Sequence, residues 1–399
     1  MKKTIALLLT TVFLFALAGC GGGTGTGSGH TIKVWASQAD QALTRELVDR
    51  FIAENPQFNV TIELGVVGEP DAWKTFSEDP SAAADVFYFP NDQLRDFVNA
   101  GGLYALQLDV DEIIARNVES AVDSATLNDV LWAYPATADN GYFLYYDKSV
   151  LTEDDIQSLD RILEVSDAAG KKMHMHLYDN GWYVASFFLG AGNTITIGPD
   201  GKQVVDFSNA TGLAAARAMQ EFTAHPAYIN GDDSVLMGGI GGSIAAGVSG
   251  IWNAEGMTAR LGENYGAAKL PTFTLNGEQV QMGSFGGYKL VGVNAMITNA
   301  EKLVIAMELA NFLTNEQSQL ARFNDRGIGP SNIGAASAPA VQANPALAAL
   351  AAQSEFATSQ NDVLGDYWSP AGAFGVAMVT HDASDLQTLI NNMVAQIQS

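Results

Sequence analysis

Strands and helices alternate along residues 31–102, and this alternation restricts the chain to few fold classes. Short apolar runs predict strands at residues 31–35, 60–64 and 84–89, and helical spacing predicts helices at residues 42–55 and 94–100. The pattern predicts an α/β fold with a largely parallel sheet, in which ligands bind beyond the carboxyl ends of the strands. Trp35 and the loop of residues 90–93 fall at those ends.

Later segments continue this mixture of strands and helices. Their patterns predict helices at residues 149–169, 211–223, 301–314, 315–323, 346–357 and 385–397, and strands at residues 172–178 and 290–297. The chain has 399 residues, which is too many for one hydrophobic core. Two or more domains are therefore expected.

Residues 131–148 contain a candidate passage between domains. An apolar strand opens the stretch, and Pro135 is expected to end its pairing because proline has no N–H to donate. The polar residues Asp139 and Asn140 then precede residues 142–146, an aromatic run that suits a strand buried on both faces. If the chain crosses between domains here, Asp139 faces the cleft between them. A strand, a turn and another strand within one domain is an equal alternative.

The formal net charge of the chain is −24. Nucleic-acid binding requires a basic surface, and so does electrostatic attachment to anionic lipid. The composition argues against both kinds of partner, and solubility accounts for most of the acidity.

The N-terminus has the pattern of an export signal. Lys2 and Lys3 precede an apolar run over residues 4–17, which is too short to span a membrane comfortably. The run ends in Leu17-Ala18-Gly19-Cys20, which resembles a bacterial lipoprotein signal, and an unprocessed anchor with an accidental cysteine is the alternative. The resemblance implies that residues 1–19 are removed, that Cys20 carries the lipid, and that the glycine-rich residues 20–30 are a flexible tether.

Several kinds of reactive site are disfavoured. Cys20 is the single cysteine, so no intramolecular disulfide and no cysteine-based zinc site can form. The glycine-rich residues 238–243 lack the Gly-Lys-Ser/Thr ending of a phosphate loop. His174 and His176 share one face of a predicted strand, but no third metal ligand is near them. We expect no cofactor and no metal, whereas a paired-carboxylate glycosidase site remains open because its spacing is spatial.

Aromatic residues stand beside polar ones where predicted strands meet loops. The aromatic members are Trp35, Phe89, Trp182, Tyr183, Trp252, Trp368 and Phe374, and the polar members are Asp92, Asp139, Asn140, Asp179 and Asn253. Aromatic faces stack on the apolar C–H faces of sugar rings, and carboxylates and amides bind sugar hydroxyls. Each ring alone is better explained as core, but the set indicates carbohydrate recognition.

A series of short motifs runs through residues 31–399. They are Ile32-Lys33-Val34-Trp35; Ala84-Asp85-Val86-Phe87 with Pro90-Asn91-Asp92-Gln93-Leu94; Trp132-Ala133-Tyr134-Pro135 leading to Tyr145-Tyr146-Asp147-Lys148; Gly250-Ile251-Trp252; Tyr265-Gly266 with Leu270-Pro271-Thr272-Phe273; and Phe285-Gly286-Gly287. In order and spacing the series resembles the extracellular solute-binding proteins of ABC sugar importers, of the maltose/maltodextrin-binding type.

The resemblance implies a periplasmic-binding-protein-like fold, in which two α/β lobes hold the sugar between them. The N-terminal lobe would comprise residues 31–138 and 285–328, and the C-terminal lobe residues 139–284 and 329–399. Crossing segments near residues 136–141, 284–288 and 327–331 would join the lobes.

The resemblance also implies ligand contacts. Asp92 matches an aspartate that grips sugar hydroxyls, Asp139 an acidic contact beside the hinge, and Trp252 a stacking tryptophan. Trp182 lies where the family has an aromatic contact. A late stacking tryptophan of the family has no clean counterpart, but Phe374 and Trp368 lie near its place. The predicted ligand contacts are Trp35, Asp92, Asp139, Asn140, Trp182, Trp252, Trp368 and Phe374.

The function implied is that of a monomeric receptor, exported and lipid-anchored at the extracellular face of the cell membrane. It would bind an oligosaccharide, with maltodextrin as the first choice, and pass it to an ABC permease without chemistry. A secreted carbohydrate-active enzyme and a binding protein for another oligosaccharide or a non-sugar solute are the alternatives.

Overall fold

A computed structural model describes residues 29–382 and 385–399. Cys20, the predicted signal and most of the predicted tether lie outside the described residues. Among the described residues, no helix combines the length and apolar character needed to cross a membrane.

Strands and helices are distributed along the whole described chain. The strands are His30–Ala36, Val60–Val66, Val86–Pro90, Thr126–Leu127, Val130–Leu131, Tyr134–Asp147, Lys172–His174, Ile195–Ile197, Gln203–Val205, Tyr228–Ile229, Ile244–Gly250, Tyr265–Ala268, Thr272–Leu275, Glu278–Gln281, Ser284–Val293 and Ala357–Ser359. The α-helices are Gln41–Glu54, Ala72–Glu78, Leu94–Asn99, Val110–Arg116, Glu119–Ser124, Leu159–Ala168, Gly181–Gly190, Ala210–Ala224, Asp233–Gly239, Ala254–Leu261, Ala300–Leu313, Glu316–Arg326, Ile333–Ala336, Pro339–Gln342, Pro345–Ser354, Trp368–Val379 and Leu386–Ile397.

The N-terminal strands form the parallel sheet that the alternation predicts. His30–Ala36 pairs in parallel with Val60–Val66 on one side and with Val86–Pro90 on the other. Short 3-10 turns follow these three strands at Gln38–Asp40, Glu69–Asp71 and Asn91–Gln93. The carboxyl ends of the strands therefore present a row of polar turns at one edge of the sheet.

Two long strands, Tyr134–Asp147 and Ser284–Val293, pair antiparallel at the middle of the main sheet. We call them the crossing strands. The prediction that Pro135 ends its strand is wrong, because Tyr134–Asp147 continues through it. The ladder shifts register beside Leu290, the partner of Pro135, and a bulge of this kind accommodates a residue without an N–H.

Buried apolar side chains form separate cores at the two ends of the crossing strands. The first core draws on residues 32–136 and 290–313. The second core draws on residues 142–285 and 363–397. A third cluster, which includes Phe143 and Tyr145, packs on the opposite strand face from Tyr142 and Leu144. The chain therefore has a two-lobe α/β fold, and Tyr134–Asp147 passes from one lobe into the other.

Two predicted elements are shorter than expected. Within residues 149–169 only Leu159–Ala168 is an α-helix, because Asp155 accepts hydrogen bonds from the backbone and hydroxyl of Thr152 and begins a separate 3-10 turn. The strand predicted at residues 172–178 ends at His174. Beyond it, Leu177 and Tyr178 donate their backbone N–H groups to the Asn230 side chain instead of to a neighbouring strand.

Candidate functional site

A cavity of about 770 Å³ lies where the crossing strands meet the ends of the other strands. One side, the polar wall, consists of Ser37, Asp40, Glu69, Pro70, Pro90, Asp92 and Gln93. The opposite side, the aromatic wall, consists of His176, Asn180, Trp182, Tyr183, Asp232, Asp233, Ser234, Trp252 and Trp368. The floor consists of Asn140, Lys289, Arg326, Ile328 and Gln360.

Trp252 is fixed on the aromatic wall by its polar edge and by the backbone beneath it. Its Nε1 donates to Asp233 Oδ2 at 2.7 Å, and Ser249 Oγ donates to Asp233 Oδ1 at 2.9 Å. A Cβ at Gly250 would lie 2.0 Å from a Trp252 ring carbon, so this approach requires glycine. The indole is thus oriented before any ligand arrives.

Trp182 lies next to Trp252, with 5.8 Å between the ring centroids and 33° between the ring planes. Tyr142 contacts Trp182 edge-on at 4.6 Å and donates its hydroxyl to the Trp182 carbonyl at 2.9 Å. Trp182 belongs to the first turn of the helix Gly181–Gly190, whose start is capped by the Asn180 side chain. Two adjacent indoles thus form an apolar surface on this wall.

Asp92 is a half-buried carboxylate of the polar wall. Its Oδ1 accepts a hydrogen bond from Gln360 Nε2 at 2.8 Å, and the Trp368 side chain also hydrogen-bonds to it. Burial raises the pKa of Asp92 to about 7, and the nearby Asp96 adds to the rise. Hydrogen bonds from its own backbone, Gln360 and Trp368 oppose that rise.

Two basic side chains, Arg326 and Lys289, lie on the cavity floor. Arg326 Nη1 lies 2.8 Å from Asp40 Oδ1, and Arg326 Nη2 donates to the Trp252 carbonyl at 3.4 Å. Lys289 Nζ lies 3.9 Å from Glu69 Oε1 and 5.9 Å from the Trp252 ring centroid. Arg326 thereby connects the polar wall to the aromatic wall.

The charge of Asp40 is stabilised by the neighbouring arginines. Burial acts to raise the pKa of Asp40, but Arg322, Arg326 and the Ser37 hydroxyl outweigh it, so the pKa is lowered. Asp40 therefore stays ionised around neutral pH, beside the Arg326 guanidinium.

The structure brings together Asp92, Asn140, Trp182, Trp252 and Trp368 of the predicted contacts, which all line the cavity. Trp35, Asp139 and Phe374 are not among its lining residues. Whether any of the lining residues contacts a ligand stays a prediction.

Each of the other three side chains has a packing reason for its position. Trp35 packs against Phe87 at 5.8 Å, in the first core. Phe374 is 3% exposed and packs edge-on against Phe188 in the second core. These contacts place Trp35 and Phe374 in the cores of the two lobes and not at the cavity.

Asp139 is 1% exposed, and its Oδ2 accepts the Gly329 N–H at 3.0 Å. Burial raises the pKa of Asp139, and Lys289 opposes that rise. The expectation that its carboxylate faces the cleft does not agree with this burial. Asp139 instead ties its crossing strand to the segment at Gly329.

Several lining residues have no signal in the sequence, among them Asp233, Lys289, Arg326 and Gln360. The sequence pattern suggests a role for His176 only as a metal pair with His174. His174 is buried with Nε2 at 2.8 Å from the Gly231 carbonyl, whereas His176 lies past the end of the strand and lines the cavity. Over residues 29–382 and 385–399, no group of three or more His, Cys, Asp or Glu side chains could hold a metal ion.

Comparison with known proteins gives a family match and several similar structures. The model of a family described as bacterial extracellular solute-binding protein matches residues 46–349. A galactooligosaccharide-binding protein of Bacillus subtilis (strain 168) is 28% identical over an alignment of 321 positions, and the match covers 76% of this chain and 74% of the relative.

Two solved structures are similar over almost the whole chain. One, a structure with acarbose, is 32% identical with a TM-score of 0.84, and the match covers 93% of this chain and 99% of the other. The maltodextrin binding protein MalE1 from L. casei BL23, solved without ligand, is 25% identical with a TM-score of 0.77 over 94% of this chain and 100% of the other.

Proposed function

This chain belongs to the bacterial extracellular solute-binding protein family, and we propose from that membership and from its cavity that it captures an oligosaccharide for an ABC importer. One observation carries the proposal. Two adjacent indoles, Trp182 and Trp252, face the cavity from one side. The other side holds Asp92 together with Asp40 and Glu69, each of which is paired with a basic side chain. Stacking surface opposite directional hydrogen-bonding groups suits a sugar chain, which has apolar ring faces and hydroxyl edges.

Maltodextrin is the first choice of ligand. Relatives of this chain are named for maltodextrin and for galactooligosaccharide, and one is solved with acarbose. Calorimetric titration with maltotriose, maltotetraose and a galactooligosaccharide would rank these ligands. A failure of all three to bind, with a non-sugar solute binding instead, would overturn the proposal.

Capture would proceed by closure of the two lobes, which we place at residues 31–138 with 285–328 and at residues 139–284 with 329–399. A ligand that contacts both walls favours the closed arrangement because it binds that state better. No chemistry is required. Chromatographic recovery of the sugar unchanged after incubation supports a binding protein, whereas cleavage products would support a carbohydrate-active enzyme.

The receptor would act as a monomer at the extracellular face of the membrane, held by lipid on Cys20 and delivering its ligand to an ABC permease. One acyl chain anchors only marginally, so stable attachment requires more than one. We expect Cys20→Ser to release the protein into the medium or to leave it uncleaved, which cell fractionation and the mass of the mature chain measure. Normal cleavage with continued membrane attachment would contradict the lipid anchor.

A further inference from the structure

A series of hydrogen bonds connects three separate segments at the end of the cavity near Trp368. Asn140 Nδ2, on a crossing strand, donates to Gln360 Oε1 at 2.9 Å. Gln360 Nε2 donates in turn to Asp92 Oδ1 at 2.8 Å. Gln360 is only 4% exposed, so its amide has exchanged water for these two partners.

The direction of the series follows from the chemistry of its last member. An ionised carboxylate only accepts hydrogen bonds, so Gln360 has to present its NH2 group to Asp92. Its carbonyl oxygen then faces Asn140, which has to donate. The charge on Asp92 and the orientation of both amides are therefore coupled.

The surroundings hold Gln360 in place. It begins the 3-10 turn Gln360–Asp362, which follows the strand Ala357–Ser359. In the same turn, Asn361 Oδ1 accepts from Asn91 Nδ2, and Asn91 Oδ1 accepts the Tyr288 N–H at 2.8 Å.

Gly287 lies beside the side-chain amides of Asn91, Asn140 and Gln360, and its lack of a side chain leaves space for them. A Cβ there would lie 2.5 Å from Asn91 Oδ1, 3.0 Å from Gln360 Oε1 and 3.3 Å from Asn140 Nδ2. The amides thus occupy space that any other residue at 287 would fill.

We infer that Gln360 is a positioning residue, which orients the Asp92 carboxyl group for the ligand and ties it to the crossing strand through Asn140. The inference rests on the proposed function only in taking Asp92 as a ligand contact. The orientation of Asp92 by Gln360 is a property of the ligand-free protein as well.

The charges around Asp92 determine what the loss of Gln360 does. The charge that raises its pKa is Asp96, on the helix Leu94–Asn99, and Asp96 in turn has Asp366 and Arg95 as charged neighbours. The donors that lower its pKa are its own backbone N–H, Gln360 and Trp368. Without the Gln360 donor, the same burial and the same Asp96 charge would favour the protonated acid further.

The test is the pH dependence of maltotriose binding and of Asp92 itself. Gln360→Met removes the donor at similar volume, and Gln360→Glu sets a second carboxyl against Asp92. In the wild-type protein, affinity should rise with pH and level off beyond about pH 7, as Asp92 ionises. With Gln360→Met, affinity at about pH 7 should fall roughly tenfold and the midpoint should rise by about one pH unit. Gln360→Glu should move the midpoint further in the same direction.

Gln353→Glu is the matched control. Gln353 is also a buried glutamine, but it does not line the cavity. Its side chain accepts a hydrogen bond from the Leu270 N–H and donates one to the Met282 carbonyl. This control should lower the melting temperature without moving the pH midpoint. If Gln360→Met kept the wild-type midpoint, or moved it no more than the control does, Gln360 would be only structural and the inference would fall.

A second measurement separates this inference from the proposed function. Carboxyl-selective 13C NMR of the ligand-free protein, with Asp92 assigned by its loss in Asp92→Asn, reports the Asp92 titration directly. A higher midpoint in Gln360→Met supports the inference even if no sugar binds, in which case the oligosaccharide proposal alone fails. An unchanged midpoint overturns the inference, whatever the protein binds.

Discussion

The chain has six tryptophans, divided equally between the first core and the cavity. Those that pack against the first core are Trp35, Trp73 and Trp132, and those that line the aromatic wall are Trp182, Trp252 and Trp368. The two walls thus differ in kind. The polar wall follows the ends of parallel strands with short turns of polar residues, whereas the aromatic wall places indoles at the starts of helices and turns.

The difference indicates a division of labour within one cavity. Indoles offer large, rigid area at small entropic cost, so the aromatic wall suits the faces of a ligand. The polar wall offers directional acceptors, so it suits the ligand's hydroxyls. Tryptophans should therefore have different roles in the first core and in the aromatic wall. A tryptophan of the first core should contribute to stability, and a tryptophan of the aromatic wall should contribute to ligand affinity.

The largest expected effect comes from Trp252→Ala. Loss of its stacking face and buried area should weaken maltotriose binding by about 1–3 kcal/mol, or roughly tenfold to a hundredfold. Calorimetric titration measures this change. Trp73→Ala is the matched variant of the other side: Trp73 contacts Phe97 edge-on at 5.1 Å in the first core. It should lower the melting temperature and leave affinity unchanged while the protein is folded.

The opposite pattern in these two variants, with affinity lost in Trp73→Ala and stability alone lost in Trp252→Ala, would show that the core and the aromatic wall have been assigned the wrong way round.

The next effect concerns Asp92 on the polar wall. Asp92→Asn should weaken binding by about 1–2 kcal/mol at about pH 8, where the wild-type carboxylate is ionised. The loss should be smaller at about pH 6, because burial raises the pKa of Asp92 to about 7 and the wild-type group is then mostly protonated. Titration at the two pH values measures the difference, with the exposed Asp71 changed to Asn as control. A loss independent of pH would mean that the charge of Asp92 is not what the ligand uses.

The smallest expected effect on affinity is that of Asp139→Asn. Since Asp139 is buried, affinity should change by less than about 0.5 kcal/mol, as for a site that the ligand does not touch. Its pKa is raised in the folded protein, so ionisation costs folded stability once the pH exceeds the unfolded value of about 3.9. The stability of wild type relative to Asp139→Asn should therefore decline as pH rises from that value to the folded pKa. Chemical unfolding at several pH values measures this, and a large affinity loss would return Asp139 to the binding site.

Local patterns predicted the first strands well. The strands predicted at residues 31–35 and 60–64 are observed as His30–Ala36 and Val60–Val66, because their signal is a short apolar run bounded by turn residues. The polar turns that follow were also predictable, since parallel strands share one edge for their carboxyl ends. The loop that holds Asp92 was predicted in this way, whereas Trp182 and Trp252 stood out as aromatic residues beside polar turns.

Other contacts had no local signal. Asp40 and Arg326 are 286 positions apart, and Asp92 and Gln360 are 268 positions apart. The residues of each pair come together only because the chain passes between the lobes along both crossing strands. Phe374 illustrates the converse error: a helical aromatic beside glycine looks the same in sequence whether it faces a cleft or Phe188.

The paired crossing strands also determine how the molecule deforms under load. Gly286 pairs with Gly141 and Gly287 with Asn140, and the Ala138 N–H reaches the Gly329 carbonyl at 2.9 Å. The lobes are thus connected by a hydrogen-bonded ribbon with a third segment attached, and not by independent threads. A ribbon of this kind resists stretching and bends poorly in its plane, but it yields in torsion, and two consecutive glycines lower its torsional stiffness. The two lobes should therefore move relative to each other most easily by a twist about the axis of this ribbon.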